Sequence, residues 1–154
     1  MRKITVLILG AMLLVALPAV VFAAHGSVTR VADLHEENGS GITGTIKFTQ
    51  LGSGGVKVTG KATGLDPSAG YHSLVYGVGT NPGPGGDRIC LPPPGLPNML
   101  IGSWKVHKNG SGTLVGTNPN DIGTFDTVSI RVGATGPGPL LACGLVAEKP
   151  AHSD

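Results

Sequence analysis

Residues 44–60 read Gly44-Thr45-Ile46-Lys47-Phe48-Thr49-Gln50, then Leu51-Gly52-Ser53-Gly54, then Gly55-Val56-Lys57-Val58-Thr59-Gly60. In the first segment Ile46 and Phe48 fall on one side, and Thr45, Lys47 and Thr49 on the other. Successive side chains of a strand point to opposite faces, so this alternation predicts a half-buried strand. The segment beginning at Val56 alternates again, with Val56 and Val58 on one face. Between them, Gly52-Ser53-Gly54-Gly55 tolerates the positive φ that a tight hairpin requires. Two such strands joined by such a turn predict an antiparallel sheet.

Working outward, strand signals recur about every ten residues. They predict strands over 28–34, 42–51, 56–62, 71–78, 99–108, 112–116, 125–132 and 140–147. Asn109-Gly110 between the fifth and sixth is a strong hairpin signal. In the seventh, Val128, Ile130 and Val132 oppose Ser129 and Arg131. Residues 64–70 read as a longer loop. Residues 79–98 are dense in Gly and Pro, including Pro92-Pro93-Pro94, and read as a surface loop with polyproline character, since proline cannot donate to a ladder. No segment shows a sustained helical period or an internal repeat. About eight short strands predict an all-β Greek-key sandwich or flattened barrel. Its core must rely on Val, Ile and Leu, because the chain holds one Trp, two Tyr and three Phe.

The 154 residues suggest one domain preceded by a leader. Arg2 and Lys3 precede an apolar run from Ile4 to about Val21, and Val21-Phe22-Ala23 offers a small-residue cleavage pattern. This predicts a signal peptide over 1–23 and a domain over 24–154 with its strand-bearing core at about 28–147. A cut after Ala24 is the second option. An uncleaved anchor is the other reading, which the short run and Pro18 disfavour. The chain is expected to be secreted or periplasmic, with no membrane association after cleavage. Removing Arg2 and Lys3 from the 11 basic residues leaves charge balance with the 9 acidic ones. The sequence shows no basic stripe or Lys/Arg cluster, so nucleic-acid binding is not expected. Two cysteines, Cys90 and Cys143, form an even pair, which in an exported chain is expected to be bonded.

Three pieces in order resemble the copper/zinc superoxide dismutase family. The hairpin of residues 44–60 resembles the family's opening hairpin. Gly64-Leu65, a short loop and Gly70-Tyr71-His72 resemble its Gly-Leu, loop, Gly-Phe-His-Val-His. Leu141-Ala142-Cys143-Gly144-Leu145-Val146 resembles its closing Leu-Ala-Cys-Gly-Val-Ile. The resemblance implies a Cys90–Cys143 bridge and a copper-ligand position at His72. It also marks what is missing. The second strand-histidine position holds Leu74, and the last copper-histidine position falls near Arg131 or Val132. The zinc-aspartate position falls near Ser103. The position of the family's steering arginine holds Leu140. The charged loop before it is reduced to residues 133–139. Residues 91–101 hold no His, Asp, Glu or Cys.

A metal site needs several donors converging on one point. His72 is the one histidine in a family ligand position; the plainer reading is a strand histidine with a satisfied hydrogen bond. His107 is expected to be exposed. His35 beside Glu36-Glu37, and His25 near the cleaved N-terminus, are weak surface candidates for copper. No Gly-x-Ser-x-Gly elbow and no dinucleotide fingerprint occurs. Asn38-Gly39-Ser40 and Asn109-Gly110-Ser111 match the glycosylation sequon but also read as turns. The expectation is an exported, non-catalytic, dismutase-like binding or structural module with no cofactor and with a protein or surface partner. The alternatives are a divergent copper/zinc dismutase and a copper-binding protein using His72 with other histidines.

Overall fold

The computed structural model describes residues 27–78, 90, 98–133 and 138–148. The expected signal segment, His25, His152, most of the proline-rich loop (79–89 and 91–97) and residues 134–137 lie outside the described residues. Among the described residues eight strands form: β1 (Thr29–Glu36), β2 (Thr43–Gln50), β3 (Val56–Thr63), β4 (Tyr71–Gly77), β5 (Leu100–Val106), β6 (Gly112–Asn118), β7 (Phe125–Val132) and β8 (Leu140–Glu148). Each lies within two residues of its expected bounds. No helix occurs among the described residues.

All pairings are antiparallel, and the strands close into a barrel in the order β1-β2-β3-β6-β5-β4-β7-β8, with β8 pairing back onto β1. The chain leaves β3, passes β6 and β5, and enters β4. It later leaves β6, passes β5 and β4, and enters β7. These two crossovers are Greek-key connections. A closed barrel leaves no unpaired strand edge.

The alternation read from the sequence decides what points inward. Ile46 and Phe48 of β2, Val56 and Val58 of β3, and Val128 and Ile130 of β7 are fully buried in one core. Phe48 and Phe125 meet there with ring centroids 5.1 Å apart. Trp104 of β5 is the bulkiest filler, and glycine makes room for it. A Cβ on Gly60 would lie 3.0 Å from the indole, and one on Gly112 would lie 2.4 Å from the Leu65 side chain. The Trp104 Nε1–H donates to Ser73 Oγ of β4 at 2.8 Å, so the polar tip of the indole is satisfied inside the barrel.

One end of the barrel is fastened by the β2–β3 turn. Gly55 adopts φ 74°, and a Cβ there would lie 2.5 Å from the Asn118 carbonyl oxygen. Its N–H donates to Asp121 Oδ1 at 2.6 Å, and Gln50 Nε2 donates to the same oxygen at 2.6 Å. Gln50 Oε1 in turn accepts from the Ile122 N–H. These contacts tie the β2–β3 turn to the β6–β7 loop.

Candidate functional site

The outward faces of β4 and β7 are largely covered as well, together with Cys143 of β8. Tyr76, Cys90 and Cys143 form a second apolar cluster outside the barrel wall, with Leu74, Met99 and Leu140 packed against it. Cys90 is bonded to Cys143 with Cα atoms 5.9 Å apart, so one residue of the proline-rich connection is anchored on β8. Beside this cluster lies a polar network that the sequence did not reveal. Arg131, 7% exposed, follows an irregularity in the β7–β8 pairing. Its Nε donates to Tyr76 Oη at 2.8 Å, Nη1 to the Gly138 carbonyl at 2.7 Å, and Nη2 to the Cys90 carbonyl at 2.8 Å. A guanidinium only donates, so Tyr76 Oη accepts from it, and the tyrosine proton is directed to Ser129 Oγ at 2.7 Å. The buried charge is therefore shared among neutral acceptors. Hydrogen bonds to charged groups contribute about 1.5–3 kcal/mol each, which offsets part of the desolvation.

His72 lies between two cross-strand neighbours, Ser103 of β5 and Arg131 of β7. It is fully buried, and its Nδ1 lies 2.7 Å from the Gly133 carbonyl oxygen. A carbonyl only accepts, so Nδ1 carries the proton, and in the neutral ring Nε2 is a bare lone pair. Nε2 is buried and has no hydrogen-bond partner among the described residues.

The other positions implied by the resemblance are placed as follows. Leu74 packs against the disulfide cluster, as does Leu140. Of Arg131 and Val132, near which the resemblance sets the last-histidine position, Arg131 is a buried, hydrogen-bonded cation and Val132 is half-buried. Ser103 is exposed. His35 is exposed on β1 opposite Cys143, and His107 is exposed beyond β5, where its N–H donates to the Ser111 carbonyl. Among the described residues no three His, Cys, Asp or Glu side chains gather as a metal site. Both sequon segments form turns: Asn38 Nδ2 donates to the Leu140 carbonyl, and Asn109 Oδ1 accepts from Ser111.

A second feature lies on the outer face of β2, β3, β6 and β5. The registers Thr45–Lys61–Thr113–Lys105 and Lys47–Thr59–Val115 set threonines and lysines in rows across the sheet. The sequence shows no basic stripe or Lys/Arg cluster, and folding corrects that expectation. Lys47, Lys57, Lys61 and Lys105 are all exposed on this one face. Alternation places every second residue outward, so lysines far apart along the chain become lateral neighbours.

Fold and site together define a closed antiparallel β-barrel carrying a disulfide-anchored layer on one outer face. The solved structure of the clock protein EA4 is similar to this chain, with a TM-score of 0.51 at 21% identity over 80% of this chain and 96% of that one. It is one of 77 solved chains that match. No protein-family model matches the chain, and no curated protein does.

Proposed function

We propose that this chain is an exported, superoxide dismutase-like barrel that acts by binding and not by catalysis, with the face that the resemblance assigns to copper and zinc given over to holding loops. The observation that carries this reading is Arg131. A permanent cation stands cross-strand from the one ligand-position histidine, with its donors committed to Tyr76, Gly138 and Cys90. A fixed positive charge beside the site opposes a divalent cation by Coulomb repulsion. A single imidazole is a poor match for a metal that needs several donors. The described residues on this face are therefore a poor fit to a copper or zinc centre.

One observation favours the second reading, a copper-binding protein: the buried, unpartnered Nε2 of His72. One experiment separates the two. The mature, disulfide-bonded protein is incubated with copper and zinc, desalted and assayed by elemental analysis. The expected result is retained metal far below one ion per chain and no superoxide dismutation above free buffer. Stoichiometric copper that is lost in His72→Phe would overturn the proposal and establish the alternative.

A further inference from the structure

We infer that the outer face of β2, β3, β6 and β5 is a docking surface for an anionic polysaccharide. The inference rests on the reading of the chain as an exported binding module and names the chemistry of its partner.

Charge is sorted strongly on this barrel. The four strands of this face contain Lys47, Lys57, Lys61 and Lys105 and no acidic residue. The chain as a whole is close to charge balance once Arg2 and Lys3 are set aside. Asp33, on the neighbouring strand β1, accepts from Thr45 Oγ1 at 3.3 Å at the edge of the face. Beyond the backbone ladders in which they pair, no ion pair or hydrogen bond engages the ammonium groups of the four lysines among the described residues. Strand spacing of about 4.8 Å and rise of about 3.4 Å per residue set neighbouring lysines roughly 8–10 Å apart. They form a zigzag along the face, not a point charge. Between them runs a shallow groove of about 430 Å³ lined by Thr45, Lys47, Thr59, Lys61, Thr113 and Val115.

The chemistry of the face selects among polyanions. The Thr59 and Thr113 hydroxyls can donate to and accept from sugar hydroxyls, and Thr45, whose proton goes to Asp33, can still accept, while the ammonium groups match sulfate or carboxylate. Every described aromatic residue (Phe48, Tyr71, Tyr76, Trp104 and Phe125) is buried, so the face offers no platform on which nucleic-acid bases stack. A barrel wall has no helix or projecting ribbon to enter a duplex groove. Val115 of β6 and Leu100 of β5 are the exposed large apolar side chains described on these four strands, too little to anchor in a bilayer.

The test is binding of the mature protein to immobilised dextran sulfate, with neutral dextran, double-stranded DNA and anionic lipid vesicles as comparisons at one ionic strength. Retention on dextran sulfate at low salt is expected, with release by roughly 0.5 M salt as screening shortens to a few ångströms. The variant K47Q/K57Q/K61Q/K105Q should lose about 10- to 100-fold in affinity, four exposed charge contacts each contributing modestly. The Lys→Arg counterpart should retain binding, and an unchanged thermal transition in both variants excludes misfolding. Absence of retention, retention undiminished in the glutamine variant, or tighter binding to DNA or vesicles would each overturn the proposal. The metal assay reads a different face, so failure here leaves the non-catalytic reading to stand or fall separately.

Discussion

Arg131 reaches over the barrel wall to two carbonyl groups, Cys90 and Gly138, that belong to different connections of the chain. Loss of that reach leaves both carbonyls and the Tyr76 hydroxyl short of a donor in a buried place. Arg131→Met is therefore expected to cost about 2–4 kcal/mol, measured by urea unfolding of the oxidised protein. Arg131→Lys should recover only part of this, because one ammonium cannot span three acceptors set by a planar fork. At this scale the sequence told half the story. Ser129 and Arg131 were legible as the outward set of β7, but an outward residue reads as solvated until something is known to cover it. Part of the cover is Cys90 itself, 41 residues away in sequence from Arg131. His72 was legible as a strand residue in a ligand position. Its lone bond to Gly133 was not, because that contact depends on how the chain turns after β7.

Among the connections, the β2–β3 turn and the β6–β7 loop show how a distant carboxylate sets a local geometry. Gln50 and the Gly55 N–H both donate to Asp121, and these bonds, the side-chain one first, hold its carboxyl below the usual aspartate range. Ser68 lowers Asp66 in the same way, through its backbone N–H first and then its hydroxyl. A carboxyl depressed in the folded state contributes stability above its unfolded pKa and loses it as pH falls through the folded value. Melting temperature should therefore fall as pH drops from the ordinary aspartate range to below it. In Asp121→Asn, where both bonds can still reach the amide oxygen but the charge is gone, that acid-side fall should be shallower, with Asp66 supplying the remainder. A pH series of thermal melts on both proteins checks this. The turn itself was legible from Gly52-Ser53-Gly54-Gly55. Its partner was not, since Asp121 lies 66 residues beyond Gly55 and nothing local marks it.

For the molecule as a whole, period-two alternation and turn glycines were enough to place all eight strands, because each strand has one face in the core and a turn at its end. Closure was harder to read: which strand neighbours which is decided by the two crossovers, and these leave no local trace. The lysine face was hidden for the same reason, since it exists only when β2, β3, β6 and β5 lie side by side. The disulfide was legible from cysteine count and context. It closes a span of 53 residues, for which chain entropy gives about 4 kcal/mol. Cys90→Ser/Cys143→Ser should melt roughly 10 °C or more below the oxidised parent by calorimetry. The return of β8 onto β1 has a further consequence. Arg30 stands opposite Glu148, so the first and last strands run as adjacent staves and the barrel has no structural beginning. Its ladders form a ring, and the chain could be spliced end to end and cut open in an exposed turn such as Asn109-Gly110 without losing a rung. Evolution can therefore rearrange the order of the segments in the gene while the three-dimensional object stays the same.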